Sequence, residues 1–189
     1  LGGRSISNIF RFRRTLEEAS HFGILATDRR MVNSDGSGSV VGFDTRYKFN
    51  KTYQVELQTL FSKTQEPTDS LLVSNETFGD NNTFTFDGES FTGNAFELEF
   101  RRETEHWGLE TGYDHRSPAF RADNGFISNN NQRRIYLQSF WVYTPDKLIS
   151  KIVGGFHTGI EYNFEGEKKS RYTSFFGNVV LPRQTRLRV

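Results

Sequence analysis

Residues 41–49 read VGFDTRYKF, and the two-residue beat within them decides the fold. Val41, Phe43, Thr45, Tyr47 and Phe49 share one parity, and Gly42, Asp44, Arg46 and Lys48 share the other. After Asn50, Lys51 and Thr52 the beat resumes, with Tyr53, Val55, Leu57, Thr59 and Phe61 set against Gln54, Glu56, Gln58, Leu60 and Ser62. Side chains of a strand alternate faces, so each of these strands carries one apolar, aromatic face and one polar, charged face. A hairpin loop of the three residues 50–52 would set Arg46 opposite Glu56. In a soluble sandwich the charged face would look at bulk water. In a membrane barrel the apolar face meets lipid and the charged face lines a wet interior.

Composition narrows the choice. The chain has 189 residues, of which 34% are hydrophobic, and its mean hydropathy is −0.64. No run approaches the roughly 20 apolar residues that a membrane helix needs, but barrel strands evade that test because half of each strand is polar. Aromatic residues reach 15%. There is no cysteine, hence no disulfide framework and no thiolate metal site. A net charge of +1 gives no case for a nucleic-acid partner. Leu1 is not an initiator, no signal peptide precedes it, and Thr185–Val189 resembles a strand cut partway, so the expectation is a fragment of a larger barrel.

The alternation predicts an all-β, antiparallel, up-and-down transmembrane β-barrel with about ten strands in this single segment. They run over 5–14, 21–29, 40–49, 53–63, 94–102, 106–115, 133–143, 149–163, 171–181 and 185–189. Connections are short at 16–20, 50–52, 103–105, 144–148 and 182–184, and long at 30–39, 64–92 and 116–132, with 165–170 the shortest on the long side. Such segregation is the outer-membrane pattern, with long loops outside the cell. In the seventh strand two sets compete for the outer face: Ile135, Leu137, Trp141 and Tyr143 against Tyr136, Phe140 and Val142. Phe78, Phe84 and Phe86 predict a packed loop or short hairpin inside 64–92.

The inner face collects Arg11, Arg13, Arg29, Asp44, Arg46, Lys48, Glu56, Glu97, Glu99, Arg101, Glu110, Asp114 and Glu161. Arg46, Glu56, Glu97 and Glu110 are the candidate binding residues of that interior. The bland alternative is a structural network that braces the wall, and the sharper one is a charged constriction that selects solutes. In the loop that follows Arg116, Phe120 and Phe126 flank Arg121, Asp123 and Gly125. The aromatic residues can fold this loop inward while Arg121 and Asp123 pair, making a plug or docking element. A plain loop anchor is the simpler reading.

The stretch Thr92–Arg134, TGNAFELEFRRETEHWGLETGYDHRSPAFRADNGFISNNNQRR, carries a family resemblance. Its marks are the strand pair around Trp107-Gly108, the run Ser117–Ile127, and Arg133-Arg134 opening the next strand; Leu1–Arg4 and Leu25–Arg29 also fit. The chain resembles a family of Gram-negative outer-membrane proteins in which a carbohydrate-binding-module-like domain precedes a C-terminal barrel of unassigned function. The resemblance implies a barrel in the bacterial outer membrane. Its partners would be the lipid bilayer and other envelope proteins or glycans. The carbohydrate-binding domain itself is absent, so sugar binding does not transfer to these residues.

Catalytic chemistry finds little support. Of His21, His106, His115 and His157, His115 follows Asp114 where a strand meets a long loop, as an acid–His pair does in outer-membrane proteases. His106 and His21 sit at turns, and His157 falls on the inner face if Phe156 faces lipid. Gly36 and Gly38 lack the lysine and helix of a phosphate-binding loop. Asp80-Asn81-Asn82 is poor grounds for calcium. The expectation is therefore no enzyme, no cofactor and no metal, but a channel or a membrane anchor for an envelope assembly, linked to glycan handling. The rivals are a barrel enzyme with a rim site and a soluble glycan-binding sandwich.

Overall fold

A computed structural model of the chain describes residues 4–125, 129–145, 149–181 and 185–188. The large sheet is built from β1 (Ser5–Thr15), β2 (His21–Met31), β3 (Ser37–Phe49), β4 (Tyr53–Gln65), β7 (Ser90–Glu103), β8 (Trp107–Arg116), β9 (Gln132–Tyr143), β10 (Lys151–Tyr162), β11 (Lys168–Val180) and β12 (Arg186–Arg188). These ten strands follow one another in a single antiparallel meander. β5 (Thr77–Phe78) and β6 (Asn82–Thr83) form a small hairpin inside the long connection from β4 to β7. Among the described residues β1 and β12 do not pair with each other, so the sheet is open.

Register follows from the turns. Asn50 and Lys51 adopt positive φ, 53° each, and close β3 on β4 with Phe49 opposite Tyr53 and Arg46 opposite Glu56. Carried from strand to strand, the pairing puts all thirteen of the charged residues expected inside on one face of the sheet. In β9 the competition resolves in favour of Ile135, Leu137, Trp141 and Tyr143 on the opposite, outer face. Tyr136 and Phe140 share the charged face because glycines make room for them. Tyr136 lies opposite Gly112, and a Cβ there would meet its ring at 2.6 Å. Phe140 covers Gly108, Phe176 covers Gly155 and Tyr172 covers Gly159, each at the position directly opposite in register. Such aromatic cover restores the packing that a strand glycine forfeits.

The outer face carries an uncharged band. It runs through Phe22–Ala26 of β2, Val41–Phe49 of β3, Tyr53–Phe61 of β4, Phe96–Phe100 of β7, Leu109–Tyr113 of β8, Ile135–Tyr143 of β9 and Ile152–Tyr162 of β10. Acidic and basic outer residues flank it on these strands and their neighbours: Asp28, Arg30, Lys63, His115 and Arg133 towards the long loops, with Lys168 and Arg171 of β11 opposite Tyr162 and Ile160, and Arg14 and Arg102 towards the short turns. Rings gather at the short-turn end. Phe49 stacks on Tyr53 at 5.3 Å, and Arg102 sits 4.3 Å over Trp107. Many apolar side chains of this face have no cover; Phe175 is 78% exposed.

Several strands outrun their sequence-based limits. β2 and β3 stay paired out to Arg30 and Ser37, which leaves 32–36 as the connection in place of the expected loop 30–39. β4 and β7 likewise pair to Gln65 and Ser90, so the long connection is 66–89. The alternation fades there because the outer positions turn polar beyond the apolar band, while the backbone ladder continues. On the short side β7 runs to Glu103, and the turn shifts to 104–106.

One ion pair on the charged face skips a strand. Arg11 of β1 meets Asp44 of β3 at 2.6 Å, passing over β2 where Gly23 leaves the space; a Cβ at Gly23 would lie 2.9 Å from the Asp44 carboxylate.

Two glycine substitutions should separate covered from open positions. Gly112→Ala displaces the Tyr136 ring and the 2.9 Å bond its hydroxyl donates to Glu99, and should cost about 1–3 kcal/mol. Gly177→Ala meets open space and should stay within about 0.5 kcal/mol of the parent. Urea-unfolding midpoints of the two variants give the comparison.

Candidate functional site

The charged face is cross-linked along its length. Arg46 of β3 contacts Glu56 of β4 at 3.0 Å. Arg101 of β7 reaches Glu99 at 2.8 Å on its own strand and Glu110 of β8 at 3.1 Å, and Glu99 accepts the Tyr136 hydroxyl. Arg134 of β9 binds Asp114 at 2.7 Å. Arg46, Glu56 and Glu110 are thus parts of a brace between neighbouring strands. Glu97 is different: it lies opposite Gln58 and Asp114 in register and makes no ion pair among the described residues. It borders a cavity of about 350 Å³, together with Gln58, Asp114, Arg116 and Phe120.

Over this face folds the segment 117–125 that follows β8. Phe120, only 2% exposed, lies against Gly93 of β7, and the Asp123 side chain lies against Gly38 of β3. The Arg121 amide donates to Ser62 Oγ of β4 at 3.2 Å. Arg29 of β2 donates to the Asp123 carbonyl at 3.2 Å, and Asn124 donates to the Asp28 carbonyl at 3.3 Å. The segment therefore crosses back over β7, β4 and β3 to β2, four strand spacings or about 19 Å. Gly38 and Gly93 both fall on the charged face, where the absence of a side chain admits the loop backbone. The sequence reading left both outside its strands, Gly38 in the loop 30–39 and Gly93 just before 94–102; the parity of β3 and β7 carried outward to Ser37 and Ser90 was the missed signal for where the loop docks.

Arg121 joins this segment to the long connection 66–89. Its guanidinium lies 4.5 Å from the Phe78 ring and 5.4 Å from the Phe91 ring, and it donates to the carbonyls of Pro118 and Phe120 at 2.9 and 3.0 Å. It does not pair with Asp123, in contrast to the expectation from sequence: the carbonyls and rings take its donors and its face, while Asp123 turns towards Gly38. Phe126, the other expected aromatic anchor, lies outside the described residues. Phe78 packs on Phe84 at 4.7 Å and on Phe91 at 5.1 Å, so the phenylalanines of the long connection do fold it into a short packed hairpin.

Glu66 begins that connection and is 8% exposed. Burial, with Glu89 beside it, pushes its carboxyl up to about 6, against the pull of Arg121 and with Asp87 adding to the rise. Burial draws the Arg121 guanidinium down from its ordinary value, with Glu66 and Asp123 opposing.

Among the described residues, His21 is the one histidine within ion-pair distance of a carboxylate. Asp114 and His115, adjacent in β8, point to opposite faces: Asp114 pairs with Arg134, while His115 contacts Asn94 at 2.8 Å and Tyr113 at 3.2 Å. His21 does contact an acid, Asp44, at 3.3 Å, but Asp44 is shared with Arg11, and Arg13 donates to the other ring nitrogen of His21. His157 lies on the charged face against Tyr172.

Comparison with protein-family models, with curated proteins and with solved structures finds no match to this chain.

The raised carboxyl of Glu66 has a pH signature. Its unfolded value is 4.5 and its folded value about 6, so folding favours the protonated form; the stability this contributes is full below pH 4.5 and is lost as pH rises through about 6. Hydrogen-exchange protection of segment 66–89 in EDTA, corrected for the intrinsic rate, should therefore fall across that window. Glu66→Gln should flatten the dependence. Protection that does not change with pH in the parent would mean that Glu66 titrates as it does in the unfolded chain.

Proposed function

We propose that this sheet is the wall of a β-barrel in the bacterial outer membrane, with the uncharged face towards lipid and segment 117–125 narrowing the interior. The observation that carries the reading is the uncharged outer band bounded by charge at both ends. Along β4 it spans Tyr53 to Phe61, about 26 Å at roughly 3.3 Å per residue, which a typical tilt shortens to about 20 Å. The apolar band of a transmembrane barrel is about 25 Å tall, and the rings at the short-turn end extend it as a girdle would. A soluble sandwich has no use for such a band without a second layer to cover it. The open edges at β1 and β12 pair with further strands in this reading, because unpaired backbone in lipid costs several kcal/mol per group.

In the envelope such a barrel is a channel that segment 117–125 restricts. The anchoring of an envelope assembly is the second reading, favoured by the pairing of most inner charges with one another, which leaves few groups to select a solute. The resemblance to barrels that follow carbohydrate-binding modules adds glycans and envelope proteins as partners under either reading. A rim-site enzyme has less support, because Asp114 and His115 face apart.

Spin labels test the wall. Labels at positions 55 and 57 should be relaxed by a lipid-soluble agent, and a label at 56 should not; equal accessibility at 55 and 56 would sink the assignment. Leu57→Arg should cost about 2–4 kcal/mol if the position lies near the midplane.

Planar bilayers test the channel. Deletion of 117–125 should raise conductance without loss of folding. Conductance that stays at baseline would favour the anchor.

A further inference from the structure

The sequence offered Asp80-Asn81-Asn82 as its only cation candidate, but the fold assembles a different set. Glu66, Asp87 and Glu89 each bring a carboxylate oxygen to within 4.8 Å of the other two. Two oxygens bound to one Ca²⁺ at about 2.4 Å each can be no further apart than about 4.8 Å. Glu66 supplies a second, independent sign of a ligand. The residue is only 8% exposed, and its buried Oε2 has no hydrogen-bond partner. Among the described residues no cation lies within ion-pair distance of Glu66. Arg121, whose charge acts on it, donates to the Pro118 and Phe120 carbonyls and lies over two rings. A buried carboxylate oxygen without a donor is costly to keep, and coordination to a cation relieves that cost.

The local backbone holds the three groups in place. The Glu66 amide donates to the Glu89 carbonyl at 2.9 Å, where the β4–β7 ladder ends. Asp87 accepts from the Glu89 amide at 3.2 Å, and Glu89 accepts from the Thr83 amide at 2.8 Å. We propose that Glu66, Asp87 and Glu89 form a calcium site at the neck of the 66–89 connection. An all-oxygen set of three carboxylates suits Ca²⁺, which accepts irregular oxygen coordination, better than Mg²⁺ with its strict octahedron. The ion joins the first residue of the connection to its last turn, and so closes the loop on itself. The site requires only the local fold and not the presence of a membrane.

The test is calorimetric titration of calcium chloride into the purified, chelator-treated full chain. One saturable event per chain is expected, weakened at least about tenfold in Glu66→Gln and in Asp87→Asn, because each variant removes one charged ligand. Asp87 is exposed, so its variant should leave packing intact, and circular dichroism of both variants should match the parent. Asp80→Asn removes the same charge elsewhere in the loop and should bind calcium as the parent does. Calcium should also slow proteolysis near Leu71, which is 89% exposed, in the parent and not in Asp87→Asn. The absence of a saturable event in the parent, parental affinity in Asp87→Asn, or equal weakening in Asp80→Asn would each overturn the site.

Discussion

A pleated strand gives its side chains only two directions, and everything else in this protein depends on the register that keeps them sorted. A slip of one residue between β3 and β4 would turn Arg46 and Lys48 to the face of Val55 and Leu57, and Phe43 and Tyr47 to the face of Glu56. The turn at 50–52 holds against that slip with two consecutive residues at positive φ, one of them a lysine, a backbone shape that costs energy unless the flanking ladder imposes it. The Arg46–Glu56 contact then adds a side-chain check on the same register. The charged face is consequently both a product of the pairing and a reinforcement of it.

Glycine and aromatic residues divide the same face in a second way. Charges brace β3 with β4, β7 with β8 and β8 with β9, while rings laid over glycines serve β8 to β11, so the two systems overlap at β8 and β9. Tyr136 belongs to both systems, since its ring covers Gly112 and its hydroxyl reaches Glu99. Glycines at 38 and 93 are used differently: what fills their space is the backbone and side chains of segment 117–125. One residue type thus creates room for rings at one end of the sheet and for a returning loop at the other.

The two-residue beat was enough to place ten strands, their antiparallel order and the contents of each face. Parity needs only the sequence. It was not enough to find where strands stop, because β2, β3, β4 and β7 run on past the last apolar outer residue, held by backbone bonds that leave no trace in side-chain type. The loop rich in Phe120 and Arg121 was legible as inward-folding, but the partner of Arg121 was not. Phe78 and Phe91 stand on other segments, and local sequence pointed to Asp123 instead. The neck at Glu66, Asp87 and Glu89 was hidden for the same reason, since its members come together only when the connection closes.

The ion pair that steps over Gly23 alters how the first edge of the sheet can come apart. In a plain ladder an outermost strand peels away by breaking bonds with its one neighbour, residue by residue. Here β1 is also tethered through Arg11 to β3, so to lift β1 alone is to break a contact two strands away. Under mechanical load the first edge therefore opens fully only when the Arg11–Asp44 contact parts along with the β1–β2 ladder, so a pull on the outermost strand is felt directly at the third.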